Sequence, residues 1–389
     1  MYNLANSNSY VAGYLDHATT SWPKAPGVVE AMAWTLTDTC ASPGRSNHRL
    51  AREVSALVEK ARERVTEVFR VKRLEDVIFT SGATMALNLA IKGLLMPGDH
   101  VIATCFDHNS VLRPLMRMER EGCKVTIVRR CDPDMMFVDA VIREFRPETR
   151  LVVVNHASNV CGTLLPCREI GSAARSRGIT VLLDAAQTAG HVPIDLLSLP
   201  VDLVAFSGHK GLLGPPGIGC LLVNNPNLAL VPLLEGGTGL QSESLVPQMV
   251  FPTSFEVGTQ NAPAIAGLGA ALEFVTSENF NNARENAGLL YKKCLERLYE
   301  MPHVRVHGHS QLPSIPIISF TIKGMLPEEV ANILDSEHNI QVRDGLHCAP
   351  LAHEALGTFP YGTVRIAFGY GNTDETVDQL CYALVKLRQ

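Results

Sequence analysis

The chain has no excess of basic charge. Its 389 residues carry 34 Lys and Arg against 39 Asp and Glu, a formal net charge of −5, and charged residues make up 19%. Such a balance leaves no electrostatic footprint for nucleic acid. A long hydrophobic run is also missing: the longest nearly uncharged apolar stretch, residues 262–272, falls short of the about 20 residues needed to cross a bilayer. Residues 1–13 have neither a basic start nor an apolar core, so no signal peptide is expected. The ten cysteines include no Cys-x-x-Cys pair, which leaves no metal-ligand spacing and no disulfide framework of the kind that staples small secreted domains. No metal site is expected, the thiols read as reduced core residues, and the compartment reads as cytoplasm. Internal repeats and low-complexity segments are absent too. What the composition does offer is bulk: 46% hydrophobic residues in a length suited to two domains of about 150 residues each.

Hydrophobic spacing supplies the architecture. Apolar residues from Leu50 to Phe69 recur at three and four, as on an amphipathic helix, with Arg52, Glu53, Glu59, Arg62 and Glu63 on a solvated face. Short apolar runs at 77–80, 101–104, 125–128, 151–154, 181–183, 202–206 and 218–223 read as strands, with helical stretches at 85–95, up to Arg120, and at 138–145 between the earlier ones. Strands alternating with helices imply an α/β fold, a mostly parallel sheet wrapped on both faces. Further on, helices at 263–276, at 282–299, from 327 and from 374 accompany strands near 304–306 and 317–320, the order of a smaller α+β layer. The expected division is an N-terminal arm (1–15), a large domain (16–262) and a small C-terminal domain (263–389).

The most informative stretch is Ser207-Gly208-His209-Lys210-Gly211, which follows the run 202–206 and leads into Leu212-Leu213-Gly214-Pro215-Pro216-Gly217. A Gly/Pro loop pins the lysine, and an amine partly desolvated at a strand end is neutral often enough to form a Schiff base with a carbonyl cofactor. Taken alone, the residue reads first as a surface loop lysine. Upstream, Asp184 closes the run 181–183 at the kind of strand end where open α/β sheets bind ligands. A carboxylate there suits a pyridinium nitrogen, and it also serves as an ordinary helix N-cap. Ser81-Gly82-Ala83-Thr84 lies between a strand and a helix, where free N–H groups, a close-approach glycine and a hydroxyl make an anion site.

Together, Asp184-Ala185-Ala186-Gln187 and Ser207-Gly208-His209-Lys210 resemble the class V aminotransferase superfamily of fold-type I pyridoxal phosphate (PLP) enzymes, and more narrowly the cysteine desulfurases and selenocysteine lyases. The resemblance runs from Tyr14-Leu15-Asp16 to Asp374. It implies a seven-stranded sheet in the large domain and a PLP site in which Lys210 carries the cofactor. Asp184 would pair with the ring nitrogen, Gln187 would bond the ring hydroxyl, and Ser207 and His209 would hold the phosphate with Ala83 and Thr84. Ala83 stands where the family usually has a hydroxyl. His108, in Phe106-Asp107-His108-Asn109, matches an acid–His pair whose ring stacks on PLP and moves protons. Asn159, in Asn155-His156-Ala157-Ser158-Asn159-Val160-Cys161-Gly162-Thr163, would orient the substrate carboxylate or the ring hydroxyl. Arg365 matches the arginine that clamps the substrate α-carboxylate, a task for a planar bidentate donor. Phe255-Glu256-Val257-Gly258-Thr259 resembles a segment that supplies a hydroxyl to the phosphate in the neighbouring subunit, so Thr259 is expected to act across a homodimer. His17 and the loop Gly44-Arg45-Ser46-Asn47-His48 are expected at the pocket rim or as solvated loop.

The stretch Gln341-Val342-Arg343-Asp344-Gly345-Leu346-His347-Cys348-Ala349-Pro350 resembles the short Arg-x-Gly-x-His-Cys segment of group II members, with Leu346 where many have a first histidine. The resemblance makes Cys348 the nucleophile that takes sulfur from L-cysteine, leaving alanine and a persulfide for an acceptor protein or thiol. A buried, inert thiol is the plain alternative. Also left open are a selenocysteine lyase acting on L-selenocysteine, a PLP carbon–sulfur lyase or aminotransferase of the same fold, and an idle sulfur-relay scaffold.

Overall fold

Seven apolar runs form one sheet: β1 (Val77–Thr80), β2 (His100–Thr104), β3 (Lys124–Val128), β4 (Thr149–Asn155), β5 (Thr180–Asp184), β6 (Leu203–Ser207) and β7 (Gly219–Val223). Their spatial order is β1-β7-β6-β5-β4-β2-β3. All neighbours pair in parallel except β7, which runs against both β6 and β1. The carboxyl ends of β1, β2, β4, β5 and β6 therefore share one edge, and Thr80, Thr104, Asn155, Asp184 and Ser207 stand along it. The computed structural model describes residues 13–129, 135–239, 243–245, 249–308 and 313–387; most of the expected arm, and Cys131, lie outside them.

Alternation within the strands divides the core. Val152, Val154, Val181, Leu183, Val204 and Phe206 face the helices Arg49–Phe69 and Ala262–Val275, where Val58, Val65, Phe69, Ile265 and Leu268 cover them. Leu151, Val153, Leu182, Leu203 and Ala205 face the opposite way, onto Leu87, Ile91 and Leu115 of the helices Ala83–Leu94 and Asn109–Arg120. Full burial of each such aliphatic side chain contributes about 1.5–3 kcal/mol, so both faces hold the sheet and leave its edge free for chemistry.

A second sheet, ordered β10-β9-β8, is antiparallel: β8 (Val304–His307), β9 (Ile317–Ile322) and β10 (Val364–Ala367). Its core joins Ile318, Phe320 and Ile366 to Leu290 and Cys294 of the helix Glu278–Tyr299, Val330 of Pro327–His338 and Leu380 of Asp374–Lys386. Leu15 is buried in this same core, and single bridges tie Tyr14 to Gln341 and Asp16 to Ala367. The segment after residue 13 thus enters the molecule through the C-terminal layer.

Two local differences from the sequence expectation bear on the site. The helix expected at 85–95 begins at Ala83, because the Ala83 N–H is held by the Ser207 hydroxyl at 2.8 Å. The turn is thereby pressed onto β7, and a side chain at Gly219 would meet Gly82 Cα at 2.7 Å. His48 is exposed, and its Nδ1 accepts the Ala51 N–H and caps the helix Arg49–Phe69.

Candidate active site

The turns at the carboxyl edge of the large sheet enclose a hollow of about 480 Å³, lined by residues that include Lys210, Asp184, Gln187, His108, Asn159 and Ser207. Asp184 is 4% exposed, and its Oδ1 accepts the Ala186 N–H at 2.9 Å. Burial raises its carboxyl pKa, with the nearby Lys210 pulling the other way. Burial likewise pushes the Lys210 amine down to about 8, against the attraction of Asp184. An amine in that range exchanges its proton near neutral pH, as a base or nucleophile must.

At one end of the hollow stand Ala83 and Thr84, in the first helical turn, with Ser207 and Ser110. Thr84 and Ser110 share a hydroxyl hydrogen bond of 2.8 Å. First-turn N–H groups lack intrahelical partners and carry the positive end of the helix dipole, so this end favours an anion. His108 caps the helix Asn109–Arg120: its Nδ1 accepts the Ser110 N–H at 3.0 Å. The proton of the neutral ring is therefore on Nε2. Burial, and then the nearby Lys210, push this imidazole down to about 4 and keep it neutral.

An N-terminal strap fixes the lysine loop from outside. The His209 carbonyl accepts from the Ser21 N–H and hydroxyl, the Thr20 hydroxyl and the Lys24 amine, at 2.9–3.1 Å. His209 Nδ1 lies 3.1 Å from Thr20 Oγ1, and Gln187 Nε2 donates to the Ala18 carbonyl at 2.9 Å. His17 is not on a solvated rim; it is 5% exposed, because Gly369 leaves room for its ring.

Arg365 is 1% exposed at the floor of the C-terminal side. Its guanidinium donates to the Asn159 carbonyl (2.9 Å), Asp16 Oδ1 (3.1 Å) and Thr19 Oγ1 (2.9 Å), while its Nε has no partner. Arg343 and Arg365 pair as an antiparallel bridge, which brings the two guanidinium groups to one side. Arg343 donates to Thr19 Oγ1 at 3.2 Å and to Cys348 Sγ at 3.5 Å.

Cys348 is exposed, whereas the other described cysteines, Cys40 excepted, are buried. His347 and Cys348 both hold positive φ, 48° and 58°, a left-handed conformation that costs about 1–2 kcal/mol per residue without glycine. Tertiary bonds hold them there. Asn159 Nδ2 donates to the His347 carbonyl at 2.7 Å, the Asn109 N–H donates to the Cys348 carbonyl at 2.8 Å, and His347 Nε2 lies 3.0 Å from Thr363 Oγ1. The Cys348 loop is thereby tied to Asn159, which lines the Lys210 hollow, and to Asn109, between the lining residues His108 and Ser110, with the thiol beside the Arg343 cation that reactive thiols use.

The aminotransferase class-V family model matches residues 13–380. The chain belongs to this family. A relative described as a probable cysteine desulfurase, from Methanothermobacter thermautotrophicus, is 33% identical, with 94% of this chain and 92% of the relative covered. Among solved structures, the apo form of a cysteine desulfurase from Thermococcus onnurineus superposes with a TM-score of 0.89 at 32% identity, covering 96% of this chain and 94% of that one. An Escherichia coli cysteine desulfurase described in an S-sulfonic acid form superposes with a TM-score of 0.87 at 29% identity, covering 99% and 98%.

In this class-V member, the expected site residues Ala83, Thr84, His108, Asn159, Asp184, Gln187, Ser207, His209 and Lys210 line one hollow, and Asn159 among them bonds both Arg365 and the His347 carbonyl next to Cys348. Thr259 does not join them; it lines a separate hollow of about 730 Å³ with Ser81, Met85 and Leu234. Asp16, Thr19 and Arg343 were given no role from sequence. A signal was available for two of them, since Asp16 lies in Tyr14-Leu15-Asp16, where the resemblance begins, and Arg343 in the Arg-x-Gly-x-His-Cys stretch. Among the described residues no group of three or more His, Cys, Asp or Glu could hold a metal, and no helix is long and apolar enough to cross a membrane.

Proposed function

We propose that this protein is a PLP-dependent cysteine desulfurase that converts L-cysteine to L-alanine and collects the sulfur as a persulfide on Cys348. The observation that carries the reading is the placement of Cys348, an exposed thiol bonded by Arg343 on a loop tied to Asn159, which lines the Lys210 hollow, and to Asn109, between the lining residues His108 and Ser110. The names of the relatives and structural neighbours support it.

The residues fit the cofactor. A buried carboxylate and a depressed amine line the same hollow as an anion-favouring helix start. In this reading Lys210 would hold the carbonyl carbon, Asp184 the ring nitrogen, Gln187 and Asn159 the ring hydroxyl side, and Ala83, Thr84, Ser207 and His209 the phosphate. When bound, PLP supplies the electron sink for the pair left on the substrate carbon. Arg365 offers its unpartnered Nε–H to the substrate carboxylate, and Lys210 takes the α-proton. Cys348 then attacks the substrate sulfur. The carbon–sulfur bond breaks, a sulfur–sulfur bond forms, one thiol hydrogen ends on the β-carbon, and Lys210 returns a proton to the α-carbon, giving alanine. Transfer of the outer sulfur to an acceptor thiol resets the site. Thr259 is exposed and outside its own chain's Lys210 hollow, which supports a homodimer in which it reaches the phosphate of the partner subunit.

The test is turnover of L-cysteine and of L-selenocysteine by the purified protein, with mass spectrometry of Cys348. The reading expects alanine from cysteine, one added sulfur on Cys348, and loss of both in Cys348→Ala. Undiminished cysteine turnover in Cys348→Ala, or activity on selenocysteine alone, sinks it in favour of a lyase. Cofactor absorbance retained in Lys210→Ala would sink the lysine assignment.

A further inference from the structure

Lys210 borders two hollows. The second, of about 380 Å³, shares no other lining residue with the first; His17, Ser21, His191, Arg284 and Tyr370 are on its walls. Two glycines make the space for its imidazoles. A side chain at Gly369 would collide with His17 Nδ1, and one at Gly211 would lie 2.7 Å from His191 Cδ2.

His17 differs from the other buried histidines. His100, His156, His347 and His353 each place a ring nitrogen against a threonine hydroxyl at 2.7–3.0 Å. Both nitrogens of His17 are buried and neither makes a well-formed hydrogen bond; only a weak contact with the Tyr14 backbone reaches the ring. An unsatisfied buried polar group costs about 1–3 kcal/mol, and a water with several polar neighbours removes that cost; this hollow has room for about one or two waters. Ser21, His191 and Arg284 are such neighbours. Burial, followed by the nearby His191 and Lys24, pushes His17 down to about 3, so the ring stays neutral. A neutral imidazole with both nitrogens free accepts a proton at one while releasing the other.

We propose that His17 relays protons between Lys210 and solvent through water held in this second hollow. The relay rests on the reading of Lys210 as the base that takes the α-proton. After that step the Lys210 ammonium gives one proton to water; His17 accepts a proton on one nitrogen and loses one from the other; the outgoing proton leaves past Ser21 and Lys24; and the same path run inward returns a proton to Lys210 before the α-carbon is reprotonated. Ser21 Oγ and Lys24 Nζ are 3.1 Å apart, and burial lowers the Lys24 amine to about 8, within range to carry it onward. One proton enters and one leaves, so the ring ends neutral. His17 is a positioning and relay residue, behind the lysine and away from the substrate.

Two measurements test this. A high-resolution crystal structure of the protein should hold ordered water within hydrogen-bond reach of both His17 nitrogens, connected to Lys210; a dry hollow overturns the proposal without reference to any activity. The second is exchange of the α-hydrogen of L-alanine in D2O by the holoenzyme, followed by proton NMR, a reaction that calls on Lys210 and no sulfur chemistry. His17→Leu should slow exchange about tenfold, less than the hundredfold of a direct acid–base group because water still carries part of the flux. His17→Gln, which keeps a donor and an acceptor, should restore most of it, with cofactor absorbance unchanged in both. Exchange at the parent rate in His17→Leu overturns the relay. No exchange in the parent itself overturns Lys210 as the base, and the relay with it.

Discussion

Arg343 carries more of the site than its position in a short motif suggests. It donates to Cys348 Sγ and Thr19, and its backbone pairs with Arg365, so it joins the Cys348 loop to the buried Arg365. Charge-assisted bonds from a guanidinium are about twice as strong as neutral ones, and reactive thiols sit in electropositive surroundings. Alkylation of Cys348 by iodoacetamide should therefore slow about tenfold in Arg343→Ala and less in Arg343→Lys, read from the Cys348 peptide by mass spectrometry. Lys210 gives a second residue-scale prediction. In the cofactor-free protein its amine is pushed from 10.5 down to about 8, so the unfolded chain binds the proton more tightly than the folded one. The penalty is full below pH 8 and fades as pH rises to 10.5. Lys210→Met should then be more stable than the parent by up to about 3 kcal/mol at pH 7, with the gain shrinking between pH 8 and 10.5. Urea melts of the two apoproteins across that range check it.

At the scale of elements, a buried ion pair anchors the segment that leads to Thr259. Arg62, in the helix Arg49–Phe69, meets both oxygens of Glu256 at 2.8 and 2.9 Å, stacks over the Phe79 ring at 4.4 Å, and also donates to the Val77 carbonyl. Glu256 in turn accepts the Phe79 N–H at 2.7 Å. The side chains are 9% and 5% exposed. Removing one partner leaves the other charge buried, a loss of about 3–5 kcal/mol, so in urea melts Arg62→Met should lower the unfolding free energy by that much while Arg64→Met, whose partner Glu273 is exposed, stays within about 1 kcal/mol. The same residues mark where sequence reading stops. Spacing placed Arg62 on a solvated helix face, yet it is buried, because its partner lies 194 residues away. Strands, helix order and most boundaries were legible within a few residues, since period and breakers are local. The start of the helix at Ala83 was not, because the hydroxyl that fixes it belongs to Ser207.

At the scale of the whole molecule, the site's members were legible through motifs, while their couplings were not. Lys210, Asp184 and Gln187 stand on neighbouring strand ends of one sheet, which topology brings together. The strap from Asp16 to Lys24 instead reaches His209, Gln187 and Arg365 across both layers, and no periodicity encodes a contact of that range. Thr259 marks the limit of a single chain, since it lines a hollow other than that of Lys210. If it completes the phosphate site of a partner subunit, Thr259→Ala should weaken cofactor binding by about tenfold, the worth of one good hydrogen bond to a charged group. Mixing then separates the two arrangements. A heterodimer of Lys210→Ala with Thr259→Ala contains one site with an intact lysine and, from the other subunit, an intact threonine. Co-refolding the two variants should recover cysteine turnover at limiting PLP to about a quarter of the parent level, one intact site in the half of dimers that are mixed. Were Thr259 to serve its own chain, neither site of the mixed dimer would be whole, and activity at limiting PLP would stay at the average of the two variants.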